Sequence, residues 1–386
     1  MRVRILSPED LQNLSAAEAI NADLAKRFLF PLIAQGLPSY IGNVHSQLLA
    51  VQIDDLVLPV SVDRKHTDAY IVSPYTHFIE YVADEIERFN NPLLRKMIRA
   101  LIFFIGPLFL KFGWNKTVSV NNWLVSTNLH YPLRENQIGV LTSFLAEQFP
   151  DHAIIYRSLN SGDKTHSGRS LLEAFKTFNY RLILSRVIFL RQQSSLAERS
   201  RSSRSDDSLA KKSGYELKRI EQLSDSEWCR IEELYRMLYL DKHSQCNPSY
   251  NKEYFKLAFE SGFMDGYVLQ KAGRIDGFVG LLEREGQITA PVLGYDTALP
   301  PSEGLYRLLF LQLFREATRR SNDVHCSSGS GEYKLKRGAT PTIEYMAVYT
   351  RHLCRRQNTP WGVLGYLMNK VGMPLALRLY CQKGNA

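Results

Sequence analysis

Between Arg191 and Gly214 the chain changes character, and that break limits the possible folds more than any other feature. The segment holds no aromatic residue and, beside Leu196 and Leu209, little that is apolar; Ser, Arg, Lys and Asp dominate it. Such a stretch buries too little surface to offset the entropy lost on ordering it. Residues 193–214 are therefore expected to be a flexible Ser/Arg-rich linker. They divide the 386 residues into an N-terminal domain, 1–192, and a second domain, 215–352, each of ordinary domain size. A basic, amphipathic segment, 353–386, follows.

The two parts read in one order: opening strand, helical material, hairpin, strand, helix, strand, short turn and last strand. In the first, 2–6 is a strand and Ser7-Pro8 starts a helix. Asp54-Asp55 supplies a hairpin turn, and 74–88 carries Phe78, Tyr81, Val82 and Ile86 on one helical face. Residues 116–127 alternate as a strand, 135–149 and 170–178 are helical, and 153–159 and 180–190 are apolar strands. In the second part 215–220 opens, and Ser224 with Glu227 forms a capping box. A helix over 252–260, a hairpin over 266–283, a strand over 287–293, a helix over 305–320 and strands over 323–327 and 342–349 complete it. The repeat is one of pattern, with weak residue identity. It predicts an α/β (α+β) chain of two tandem domains, mixed central sheets flanked by helices.

Charge narrows the partners. The net formal charge is +9; six basic residues (Arg351, Arg355, Arg356, Lys370, Arg378, Lys383) and no acidic one lie beyond Thr350. That end would attract a polyanion such as coenzyme A phosphates, an acidic carrier protein or an anionic membrane surface. Nucleic acid is disfavoured, because no aromatic-interleaved RNA motif accompanies the charge. The five cysteines form no CxxC pair and the nine histidines no HExxH, so neither a disulfide framework nor a metal is expected. The N-terminal residues carry charges where a signal peptide would be apolar, which points to a cytoplasmic protein, peripheral at the inner membrane face if membrane-bound at all. The apolar run 100–110 is too short to span a bilayer. Within 93–114 it reads as a helix in the core, along an acyl tunnel or on a membrane, with Pro107 as a kink.

One stretch carries recognisable motifs: Leu293-Gly294-Tyr295-Asp296, Gly304-Leu305-Tyr306-Arg307, Tyr333-Lys334-Leu335-Lys336-Arg337-Gly338-Ala339, and Ile343-Glu344-Tyr345. With the element order, these resemble the GNAT acyltransferases, and the tandem layout is similar to the FemAB-like group and to peptidoglycan-biosynthesis-type proteins. The resemblance covers about the last 140 residues well and the first half by pattern. It implies acyl transfer from a coenzyme A or acyl-carrier thioester as co-substrate. The Gly-rich pyrophosphate loop of that family is replaced here by Pro300-Pro301-Ser302-Glu303-Gly304.

Acyl transfer to an amine needs a proton acceptor, hydrogen bonds to the oxyanion and a proton for the leaving group. Asp296 and Glu344 are the candidate bases, and Tyr333, by the resemblance, the acid. Lys334, Lys336 and Arg337, with Gly304 and Gly338, form the candidate grip on the donor's phosphates. Tyr295, Tyr345, His352 and His130 are candidate substrate contacts. Arg157 reads as a paired charge at the edge of a core.

The sequence thus suggests an N-acyltransferase that moves an acyl group, long chains included, from a thioester to an amine of a peptide, amino acid or lipid precursor. Peptide or lipid tailoring and natural-product biosynthesis are the settings the resemblance implies. An aminoacyl-tRNA-dependent transferase and a non-catalytic module that holds a thioester or lipid are the alternatives.

Overall fold

In the computed structural model, described for residues 1–64, 68–86, 91–196 and 200–374, all the strands join one mixed sheet. They are β1 (Val3–Leu6), β2 (Gln47–Ile53), β3 (Leu56–Asp63), β4 (Thr117–Val120), β5 (Ala153–Leu159), β6 (Arg181–Arg191), β7 (Glu216–Arg219), β8 (Asp265–Lys271), β9 (Arg274–Arg284), β10 (Gln287–Tyr295), β11 (Asp323–His325) and β12 (Thr340–Tyr349). Their order is β1-β2-β3-β4-β5-β12-β6-β11-β10-β9-β8-β7.

That order reads as one six-strand unit used twice. Strands β1 to β4 and β7 to β10 are antiparallel meanders. β4 then pairs parallel with β5, and β10 parallel with β11. The sixth strands trade places: β12 lies against β5, β6 against β11, and the two run antiparallel to each other in the middle. The tandem pattern seen in the sequence is present, but its halves share a sheet through exchanged strands.

Local chemistry explains several element ends. Ser7 caps the helix Pro8–Asn13 and Ser224 the helix Asp225–Tyr235, each in a capping box. Asp54 takes φ 49° in the β2–β3 turn, a conformation Asp tolerates because its short polar side chain bonds locally. β4 is shorter than the expected 116–127 strand. Asn121 and Leu124 adopt φ 55° and 60°, which ends the ladder, and Asn122 and Asn128 fold the chain back with side-chain bonds to Ser61, Ile71 O and the Trp123 amide.

The expected flexible linker is the main correction. Gln193–Leu196 and Arg201–Lys212 are helices. The second lies on the helix Leu305–Arg320, where Asp206 is buried against Arg307 (2.7 Å) and Arg337 (2.6 and 2.9 Å) and Asp207 meets Arg315 at 2.9 Å. Counting apolar residues missed it, because the segment is held by ion pairs whose partners lie a hundred residues away. The C-terminal segment holds the helix Arg355–Leu367; residues 375–386, with Arg378 and Lys383, lie outside the described residues.

Candidate active site

β12 is the innermost strand of the site, and its ladder is broken on both flanks at one level. Against β6, Glu344 pairs with Arg186 but Tyr345 with Leu184, so Ser185 is an extra residue. Against β5, Tyr345 pairs with Leu159 and Ala347 with Tyr156, so Arg157 and Ser158 face Met346 alone. Ser158 has φ 63°. Bulges of this kind re-aim side chains and recur beside active sites.

Around them the sheet buries polar groups. Arg186 holds Glu344 through Nε at 2.7 Å and Nη2 at 3.1 Å, and the same Nη2 also reaches Ser126 O (2.9 Å) and Thr127 Oγ1 (3.1 Å). Glu344 is buried, while the Arg186 side chain keeps 19% of its surface open. Arg157 donates to Ile71 O at 2.7 Å. His77 shares a bond of 3.0 Å with the extra Ser185. Its burial, then the charges of Arg157 and Arg186, push it down to about 3.

His325, at the end of β11, completes the cluster. The Ser327 amide donates to His325 Nδ1 at 3.1 Å, which leaves the ring proton on Nε2. Burial first, and then the Arg186 and Lys334 charges, hold the ring down to about 3, so it is neutral. Its Nε2–H makes no hydrogen bond and lies 3.9 Å from Glu344 Oε2. A buried N–H with no acceptor costs free energy unless a ligand supplies one.

The strands part at this point. β10 and β11 pair only over Gln287–Thr289, with a bulge in β10 next to Thr289, and from there to Tyr295 β10 pairs with β9 but not with β11. The loop after β4 crosses the gap: Ser126 Oγ donates to Pro291 O at 2.9 Å, and Thr127 Oγ1 lies 3.2 Å from Ser327 Oγ. Both halves of the chain therefore build the site.

Of the residues expected from sequence, Glu344 is at the centre. Asp296 is at the end of β10, bonded to Arg230 (2.7 Å) and the Ala298 amide and 3.5 Å from Arg274. Burial raises its pKa, but Arg230, that amide and Arg274 outweigh it and leave the value below the ordinary one. Asp296 thus belongs to a turn and an ion-pair cluster at the edge of β10.

Tyr333 also lies away from the bulges. Its ring carries the Arg337 guanidinium at 3.4 Å and packs on Tyr306 and Phe310, with the hydroxyl 3.5 Å from Asp206. Burial raises its pKa above the ordinary value.

The three candidate phosphate-binding cations have different fates. Arg337 is neutralised by Asp206, and Lys336, exposed, by Glu332 at 2.6 Å. Lys334 is 1% exposed and donates to Ser328 O (2.7 Å) and Ser327 O (3.3 Å). Gly304, φ 67°, begins the helix Leu305–Arg320, but a Cβ there would stand 2.5 Å from Leu209 of the covering helix. Gly338 is a turn residue at φ 81°.

His130 is spent on Arg157 O (2.8 Å) and the Asn121 side chain (3.2 Å), and burial takes it down to about 4. His352 bonds His152 O at 2.8 Å, at the opposite end of β5 from the bulge. Tyr345 packs into the core under β5, and Tyr295 lies against Tyr306. Sequence reasoning missed His325 and Arg186. Neither stands in a motif, and their significance arises only from strand pairing. Among the described residues no group of three His, Cys, Asp or Glu is placed to share a metal ion.

Lys334 yields a pH prediction. Its burial, set against a partly compensating Cys326, takes its pKa from 10.5 to about 7. Between those values the unfolded chain binds more protons than the native one, so stability rises with pH across the window, by up to about 1.4 kcal/mol per unit. Lys334→Met should flatten that rise, as read by urea unfolding at a series of pH values; an unchanged slope would place the group elsewhere.

No protein-family model and no curated protein matches the sequence. Among solved structures the chain is similar to FemX, with a TM-score of 0.49 and 9% identity over 94% of this chain and 99% of that one. It is also similar to a tandem GNAT protein from the clavulanic acid biosynthesis pathway (0.39, 12%, 90% of this chain and 98% of that one). A third likeness is to L-PGS from Bacillus licheniformis (0.44, 15%, 58% of this chain and 76% of that one). At these scores the site must be argued from its own residues.

Proposed function

We propose that the protein is a transferase that moves an acyl or aminoacyl group from a thioester or ester onto an amine, in the gap beyond the β10–β11 pairing. The observation that carries this reading is His325: a neutral, buried imidazole whose tautomer is fixed by the Ser327 amide and whose Nε2–H makes no hydrogen bond. A neutral, buried donor with no partner of its own is suited to a carbonyl oxygen that gains negative charge.

In this scheme the amine attacks the carbonyl carbon; the C–N bond forms, and the carbonyl oxygen becomes an oxyanion bonded to His325 Nε2–H. Glu344, oriented by Arg186, accepts the amine's proton. Collapse of the intermediate breaks the C–S or C–O bond, and the same proton goes from Glu344 to the departing group. The donor's phosphates would lie at the start of the helix Leu305–Arg320, on Arg307 and Arg337, once Asp206 and the covering helix withdraw. A coenzyme A or carrier thioester meets these needs, and so does a charged tRNA.

The test is intact-mass analysis of candidate amines and peptides mixed with the protein and, in turn, acyl-CoAs of graded length, acylated carrier protein and charged tRNA. With the active donor, His325→Leu should lower turnover by about 10²–10³-fold, the range for loss of an oxyanion hydrogen bond, while the unfolding midpoint holds. Unchanged turnover in that variant would remove the assignment.

A further inference from the structure

One helix turns its apolar face away from the protein. Pro92–Lys111 runs unbroken through Pro107. Its inner side packs by Ile102, Ile105 and Phe109 on Trp114, Trp361 and Leu364, and Gly106 lets it approach Tyr75. Its outer side is bare: Met97 is 70% and Phe104 69% exposed.

Leu93, Met97, Leu101, Phe104 and Leu108 share an arc of about 80° at 100° per residue. Of thirteen exposed large apolar side chains among the described residues, seven belong to this helix and three more to Val363, Tyr366 and Val371. The latter stretch is adjacent, since Arg356 lies over the Phe112 ring. An exposed apolar area so concentrated marks a contact surface.

The charge says what covers it. Lys96 and Lys111 flank that arc, Pro92–Lys111 contains no acidic residue, and Arg355, Arg356 and Lys370 stand on the neighbouring segment. Two copies laid face to face would set these cations against each other. No helix among the described residues is long and apolar enough to cross a membrane. An apolar stripe beside cations on one surface helix is the pattern that lies in a lipid headgroup layer. We infer that this face docks the protein on the surface of an anionic lipid bilayer, with Met97 and Phe104 among the acyl chains and the cations at the phosphates. The inference stands apart from the transfer chemistry.

Flotation of the full chain with vesicles of equal phosphatidylglycerol and phosphatidylcholine, against phosphatidylcholine alone, tests it. The chain should float with the anionic vesicles, less at high salt, and not with the neutral ones. Met97→Ser/Phe104→Ser and, separately, Lys96→Glu/Lys111→Glu should each weaken binding by about tenfold or more, with circular dichroism unchanged. Three results would overturn the inference: no flotation, equal flotation on both vesicles, or variants that bind like the parent. A dimer in solution that Met97→Ser/Phe104→Ser disperses would assign the face to a second copy and overturn it too.

Discussion

Replacing Glu344 with alanine should cost about 3–5 kcal/mol of stability and abolish transfer together. Glu344 and Arg186 form a two-bond pair at the centre of the sheet, and the alanine leaves a guanidinium there with no counter-charge. The two effects separate in a double variant. Glu344→Leu with Arg186→Met puts apolar groups of similar size in place of the pair. Exchanges of that kind are often neutral or stabilising, so most of the stability should return. Transfer should not, because the proton acceptor is gone. Guanidinium unfolding and the mass assay read the two properties. A double variant as unstable as Glu344→Ala would mean the pair is not the source of the loss; one that still transfers would remove Glu344 from the chemistry.

The second large effect is expected at Asp206. This carboxylate is buried between Arg307 and Arg337 and fastens the helix Arg201–Lys212 over the start of Leu305–Arg320. Asp206→Ala removes the counter-charge of a buried arginine, a loss of about 3–5 kcal/mol for the covering helix. What else holds that helix is the surface pair Asp207–Arg315, a Ser205–Arg307 bond and the contacts of Leu209 and Ala210, and surface pairs contribute little. It should therefore leave locally, before the sheet unfolds. Trypsin should cut at Arg201 and Arg204 much faster in the variant, with the main unfolding transition little moved. Coenzyme A, titrated calorimetrically, should bind the variant more tightly, because two arginines and a helix start are released. Cleavage at the parent rate would show that other contacts hold the helix. Unchanged coenzyme A binding would move the donor's phosphates elsewhere.

Much of the fold could be read from local chemistry, because caps and turns are written in neighbouring residues. Ser224 and Glu227, or Asp54 at the hairpin, act within a few positions, and the helix over 252–260 was placed as it stands. Partnership is a different kind of information. The apolar pattern of 342–349 says that the strand is interior but not that it lies between β5 and β6. Arg186 and Glu344 are 158 residues apart and Arg337 and Asp206 131. Neither pairing leaves a local trace.

The same limit explains the candidate site. Glu344 was named as one carboxylate of two, and only its neighbours across the ladder distinguish it from Asp296, which two arginines hold in a turn. His325 is one histidine in a short strand. Its neutral state, tautomer and unused N–H all come from the fold around it.

The exchanged strands also set the order in which this chain can mature. β6 has β12 on one side and β11 on the other, and β5 waits for β12. As the polypeptide leaves the ribosome, the meander β1 to β4 can form early and take β5 in parallel. β5 and β6 then keep bare edges until the far end of the described chain arrives. Unpaired edges in a partly made sheet are sticky and slow to resolve. The centre of the molecule, where Glu344 and Arg186 meet, is therefore the last part to close, and an unfinished chain has no site at all.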